Sequence, residues 1–160
     1  MRAGVRLAVD VGSVRVGVAR SDPGGILASP LTVLRSGPRN PGQRAELDEL
    51  AALAAAADPI EVIVGLPTSL SGREGAAAAA ARGFAAALAG RLAPVPVRLV
   101  DERFTTTQAH DALRRSGKDS RARRGTVDAA AAAVLLQAAL DTERATGRPP
   151  GQIVTSSGEA

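Results

Sequence analysis

Apolar residues first gather at Val5–Val11, in a run with a single carboxylate, Asp10, that has apolar neighbours on both sides. A turn around Gly12–Ser13 leads directly into a second run, Arg15–Arg20. The turn sequence Asp22-Pro23-Gly24-Gly25 then precedes a third, Ser29–Leu34. Three strands with such short connections predict an antiparallel meander. Beyond a loop over 37–42, Leu47, Leu50, Ala51 and Ala54 recur at helical spacing and predict a helix over 43–57. EVIVGLP is apolar at consecutive positions, as expected of a central parallel strand. A polar loop, TSLSGREG, separates it from a helix over 75–92. VPVRLVDERF reads as a fifth strand that ends on the acidic pair Asp101–Glu102. Thr105–Thr107 can cap a helix over 106–116, RRSGKDSRARRG reads as a basic loop, and a last helix is predicted over 126–142. A meander followed by alternating helices and strands predicts an α/β fold. Its sheet has five strands, mixed, with helices flanking it over residues 1–145. The Pro/Gly/Ser-rich residues 146–160 are expected to be a disordered tail.

Composition narrows the chemistry. The 160 residues suit one domain with a real core, built from Val, Leu, Ile and Ala because there are two Phe and no Trp or Tyr. The Ala runs 76–81 and 129–133 are strong helix formers and have Leu, Val or Phe around them at helical spacing. With no Cys, disulfides, thiol catalysis and Cys-based zinc sites are excluded. A lone histidine, His110, argues against a His-rich metal site or a Ser-His-Asp triad. No stretch approaches a membrane span and no signal-peptide pattern opens the chain, so a cytoplasmic protein is expected. The formal charge of +4 comes almost entirely with arginine, the side chain that forks phosphate.

The carboxylates are the chemical clue. A buried Asp10 needs a partner, because an uncompensated buried charge is costly. Ligands of such sheets gather at the carboxyl ends of strands. If the first and fifth strands are neighbours, Asp10, Asp101 and Glu102 can converge there, with Asp128 presented from the last helix. Taken singly, Asp128 also suits a helix N-terminal dipole, and Asp101–Glu102 a solvated strand end. Taken together, the carboxylates repel unless a cation lies among them, and hard oxygen donors select Mg²⁺ or Mn²⁺.

DVGSVRVGVARSD, EVIVGLPTSLSG, LVDERFTT and VDAAAAAVLLQAAL, in that order, resemble the four signature blocks of the YqgF/RuvX family, from Arg6 to Asp141. The resemblance implies a ribonuclease H-like fold, related to the RuvC Holliday-junction resolvases. It implies a nuclease that processes the 5′ end of pre-16S ribosomal RNA, with Holliday-junction resolution as an alternative. It carries over Asp10, Asp101, Glu102 and Asp128 as the catalytic acidic site for Mg²⁺ or Mn²⁺, two ions in all. Which of Asp101 and Glu102 is a ligand stays open. On this reading the metal compensates Asp10, and Gly12 and Gly17 keep the hairpin clear for a phosphodiester.

Basic residues suggest the substrate path. Arg15 and Arg103 can clamp phosphate, although Arg103 can equally pair with a neighbouring carboxylate. Arg121, Arg123 and Arg124, just before Asp128, are candidate nucleic-acid contacts. Ser69, Ser71 and Gly72 either touch substrate or simply close their loop. Two other classes compete: an actin-like or sugar-kinase phosphate loop, which needs two such domains, and a non-catalytic nucleic-acid-binding factor. Monomer and homodimer are both compatible with the sequence, and neither can be disulfide-linked.

Overall fold

The structure, a computed structural model, describes residues 1–35, 45–69, 71–104 and 120–155, without the side chains of 104 and 120–128. Strands β1 (Arg6–Val11), β2 (Arg15–Ser21) and β3 (Ala28–Arg35) are followed by helix α1 (Ala45–Ala57). Next come β4 (Glu61–Leu66), α2 (Ala76–Leu92), β5 (Val97–Asp101) and a 3-10 turn (Glu102–Phe104). Helix α3 (Ser120–Thr146) and a short β6 (Gln152–Val154) complete the fold. The helix expected over 106–116, with His110, lies outside the described residues, as does the first half of the basic segment.

The sheet order is β3-β2-β1-β4-β5-β6. The meander β1–β2–β3 is antiparallel, β4 joins β1 in parallel, and β5 joins β4 in parallel. The first and fifth strands are therefore separated by β4 rather than adjacent. Because β1, β4 and β5 run the same way, their carboxyl ends still form one edge.

Strand alternation sends side chains to two differently covered faces. Leu7, Val9, Val16, Val18, Leu34, Val62, Val64, Val97 and Leu99 share a core with Leu50 of α1 and Phe84 and Leu88 of α2. Ala8, Ala19, Ile63 and Val100 pack on the other face against Ala132, Leu135, Leu136, Ala139 and Leu140 of α3. Alanines on both sides of that second contact let the helix lie close to the sheet. The alanine-rich helices are thus packed elements.

Two expectations change. The last helix begins six residues earlier and ends four later than predicted, so Ser120–Gly125 belong to a helix and not to a loop. Ala and Arg favour helix strongly enough to carry it through Gly125. At the far end Gly147, at φ 74°, donates its N–H to the Glu143 carbonyl (2.7 Å) and stops the helix in a left-handed cap. The sheet also has six strands rather than five, because residues expected in a disordered tail form β6 and pair with Val97–Leu99 of β5. A Cβ at Gly151 would run into the Leu99 carbonyl oxygen, so only glycine lets the chain come this close. The strand covers the open edge of β5.

A buried charge network fastens α3 at the opposite end of the sheet from Asp10. Arg6, fully buried inside β1, reaches Glu143 of α3 (3.3 Å), and Arg2 bridges Glu143 (2.8 Å) and Glu61 at the start of β4 (2.9 Å). Arg98 of β5 adds a contact to Glu61 (3.3 Å). The Arg6 guanidinium also donates to the carbonyls of Gly4 and Arg2, both at 2.7 Å.

Candidate metal centre

Asp10 follows Val9, which faces α1 and α2, and is in phase with Ala8, which faces α3. Its side chain therefore belongs to the α3 face. Directly opposite it in β2 stands Gly17, which puts no side chain there. On β5, Val100 faces α3, so the next residue, Asp101, turns to the α1/α2 side. Glu102 returns to the α3 face. A Cβ built on Gly65 of β4 would lie 2.5 Å from Glu102 Oε1 and 3.1 Å from Leu135 Cδ2. Gly65 thus leaves the space that the Glu102 carboxyl occupies, between β4 and α3.

Asp10 and Glu102 meet in that space across the bare backbone of β4. Burial pushes the Glu102 carboxyl up to about 8, and its hydrogen bond to Asp10 and the Asp10 charge push the same way, with a smaller effect of Asp101. Without a cation, then, the Glu102 O–H donates to the Asp10 carboxylate. One proton does what two like charges at close range require.

Asp101 has a different environment. Its Oδ1 accepts the Thr68 hydroxyl (2.8 Å) and the Arg103 backbone N–H (2.9 Å). Its Oδ2 accepts Arg103 Nε (2.9 Å) and Nη2 (2.6 Å). Arg103 first, and Thr68 after it, hold the Asp101 carboxyl below the usual range. Of the two readings of Arg103, the structure shows the carboxylate pair. The same guanidinium lies against Gly72, where a Cβ would come within 3.3 Å of Nη1. Ser69 and Ser71 share a 2.8 Å hydrogen bond, and Ser69 accepts the Arg73 N–H, so these serines close their own loop.

Arg15 begins β2 on the α3 face, beyond Gly17 and at the same end of the sheet as Asp10. Its carbonyl accepts the Gly12 N–H (2.8 Å), and a Cβ at Gly12 would lie 2.7 Å from that oxygen. Asp128 lies in α3 seven residues before Leu135, hence on the same helical stripe two turns nearer the N-terminus. Its side chain, and those of Arg121, Arg123 and Arg124, are outside the described set. Among the described residues no group of three potential metal ligands gathers. What converges is the carboxylate pair.

A pair of carboxyls on a half-buried floor, with glycines beside them, suits a hard divalent cation: all the donors are oxygen, and a cation can take the place of the proton they share. A pH test follows. Glu102 binds its proton more tightly folded than unfolded, so its contribution to metal-free stability is complete below about pH 4.5 and is lost as pH rises through about 8. In EDTA the melting temperature of the wild type should fall over that interval relative to Glu102→Gln. Parallel curves would mean that Glu102 holds no such proton.

The RuvX family model, described as a Holliday junction resolvase, matches residues 4–142. The chain belongs to the RuvX family. A relative from Thermobifida fusca, named as a candidate pre-16S rRNA nuclease, is 59% identical over 96% of this chain and 98% of its own. Relatives of the same name from Nocardioides (56% identical, 96% and 98% covered) and Streptomyces coelicolor (53%, 95% and 89%) also align along nearly the whole chain. Among solved structures, Thermus thermophilus RuvC bound to a Holliday junction matches with a TM-score of 0.58 at 17% identity, over 92% of this chain and 99% of that one. A second Thermus thermophilus RuvC structure gives a TM-score of 0.55, also at 17% identity, over 93% and 99% of the two chains. These structures establish the RuvX chain as ribonuclease H-like in fold, as its four sequence blocks imply.

Proposed function

We propose that this RuvX chain is a metal-dependent nuclease that hydrolyses phosphodiester bonds in the 5′ leader of pre-16S ribosomal RNA, as the names of its relatives suggest. The observation that carries this reading is the meeting of Asp10 and Glu102 on the α3 face at the carboxyl ends of the parallel strands. Asp10 and Glu102 would hold Mg²⁺ or Mn²⁺, joined by Asp128 from the same stripe of α3, in a two-ion site. Held there, such ions would supply Lewis-acid polarisation of the phosphodiester and a water made acidic enough to act as nucleophile near neutral pH.

The chain's own residues do the rest. Asp10 presents an ionised carboxylate, and Glu102 gives up its proton as positive charge enters the site. Gly65 makes room for the Glu102 carboxyl, and Gly17 leaves the floor beside Asp10 without a side chain, so a bulky phosphodiester can approach. Asp101 is a positioning residue: held by Thr68 and Arg103, it fixes the backbone from which Glu102 projects. Asp101→Asn should then lower cleavage by about 10–100-fold, the usual cost of disturbing a residue behind a ligand, and leave metal affinity nearly intact. Competing metal titrations and cleavage rates on the same preparation check this. Arg121, Arg123 and Arg124 are assigned to phosphate contacts that lead the strand to the site.

Among the described residues no helix is long and apolar enough to cross a membrane, which suits an enzyme acting on ribosomal RNA in the cytoplasm. The function is tested by incubating the protein with Mg²⁺ or Mn²⁺ and a panel of 5′-extended 16S precursor RNA, single-stranded DNA and a four-way DNA junction. Trimming of the precursor is expected. Cleavage of the junction alone would make the chain a resolvase, and no cleavage of any member would make it a binding factor.

A further inference from the structure

The chain between β4 and α2 leaves the sheet at its carboxyl edge, where Leu66 is paired with Asp101. Its turn is closed on itself. Ser69 N–H donates to the Arg73 carbonyl (3.0 Å), Gly72 N–H to the Ser69 carbonyl (2.8 Å) and Arg73 N–H to Ser69 Oγ (3.1 Å). It is also docked beside the carboxylate pair. The Thr68 hydroxyl donates to Asp101, and Gly72, at φ 83°, lies against the Arg103 guanidinium. A turn tied down in both ways is ordered before any ligand arrives, which lowers the cost of binding one.

Three donor groups at this turn are uncommitted. Arg73 is exposed, and its guanidinium has no hydrogen bond or ion pair among the described residues. The carboxylate next to it in sequence, Glu74, is taken by Arg82 of α2 through two hydrogen bonds. Ser71 shares its 2.8 Å bond with Ser69. When Ser69, which already accepts the Arg73 N–H, donates that bond, the exposed Ser71 keeps its own O–H for a ligand. Arg103 spends Nε and Nη2 on Asp101 and leaves Nη1 beside Gly72, where no side chain stands. Donors thus gather at one corner while Asp101 and Glu74 already have arginine partners.

We propose that Arg73, with the Ser71 hydroxyl and the free edge of Arg103, binds a backbone phosphate of the nucleic-acid strand beside the Asp10–Glu102 pair. The inference rests on the nuclease reading and adds the β4–α2 turn to the substrate path. An arginine fork and a hydroxyl on a fixed turn suit phosphate oxygens and read no base. The strand then runs over the carboxyl ends of β4 and β5, from the carboxylate pair toward α2.

The test measures binding of a short fluorescein-labelled single-stranded RNA in EDTA at several salt concentrations. Arg73→Ala should weaken binding roughly tenfold, the size of one charge-assisted hydrogen bond. It should also flatten the slope of log affinity against log salt by about 0.7, the loss of one phosphate contact on a single strand. Arg73→Lys should keep the slope and lose only part of the affinity, because a point charge neutralises phosphate without forking it. Arg91→Ala removes the same charge from the last turn of α2 and should leave affinity and slope at wild-type values. Wild-type affinity and slope in Arg73→Ala, with the wild type binding normally, overturn the contact and leave the nuclease reading standing. An equal loss in Arg91→Ala does the same, since overall charge then accounts for the effect. A wild type that binds no RNA at any salt overturns both.

Discussion

Asp10→Asn and Glu102→Gln should each lower Mg²⁺-dependent cleavage by at least about 100-fold, the scale set by removing one charge-stabilising group from a preorganised site. Each substitution deletes a ligand charge at almost constant shape, so the fold should survive. Metal-free stability separates the two from ordinary damage. Wild-type protein holds two carboxyls in one half-buried space, and above about pH 8 both carry charge. An amide at either position removes that repulsion, so both variants should melt at or above the wild-type temperature in EDTA at alkaline pH. Loss of cleavage together with loss of the fold would count against the account, as would full cleavage by either variant. The comparison with Asp101→Asn matters equally: a ligand and its neighbour differ by which face of the sheet they turn to.

Glu143→Ala should cost about 3–5 kcal/mol, the penalty for breaking a buried ion pair from one side. The fully buried Arg6 would keep its carbonyl partners but lose its carboxylate, and Arg2 would lose three hydrogen bonds. At about 2–4 °C per kcal/mol for a chain of this size, the melting temperature should drop by roughly 6–20 °C. Replacing Arg6 and Glu143 together by apolar residues of similar volume should cost far less, because desolvation of the pair offsets much of its attraction. Acid should mimic the single variant. The hydrogen bond from Arg2 holds the Glu143 carboxyl down at about 2, so its contribution is present above about pH 4.5 and disappears as pH falls toward 2. The network and Asp10 are four residues apart along β1, about 13 Å, so metal binding by folded Glu143→Ala should match the wild type. Thermal melts with and without Mn²⁺ measure both effects.

Asp10 was readable because a charge between apolar neighbours in a strand demands compensation. The partner was harder to find. Asp101 ends β5 turned toward the α1/α2 side, whereas Glu102, the first residue of the 3-10 turn, brings its carboxyl to Asp10. The parity of VRLVDE does not say which side α3 covers, because Val97, Val100 and Leu99 leave both faces apolar, as in any central strand. Only the packing of Val100 on α3 decides it. Gly65 was equally silent in EVIVGLP, where its role is to leave room for a residue 37 positions away. Arg6 lies inside the first apolar run, and none of Arg6, Glu61 and Glu143 has a local pattern that announces a long-range pair. Strand β6 was hidden by its length: three residues among Pro, Gly and Ser carry no period, and β5 supplies the template. The helix α3 was visible in its alanines, but its first turn was masked by arginines that resemble a solvated loop.

Mn²⁺ binding, read from the loss of the free-ion electron paramagnetic resonance signal, tests the centre of the account most directly. Wild-type protein and Asp101→Asn should take up Mn²⁺ with similar affinity, while Asp10→Asn and Glu102→Gln should bind it far more weakly. Wild-type uptake in Glu102→Gln, or selective loss in Asp101→Asn, would contradict the assignment of Asp10 and Glu102 as the pair that holds the metal.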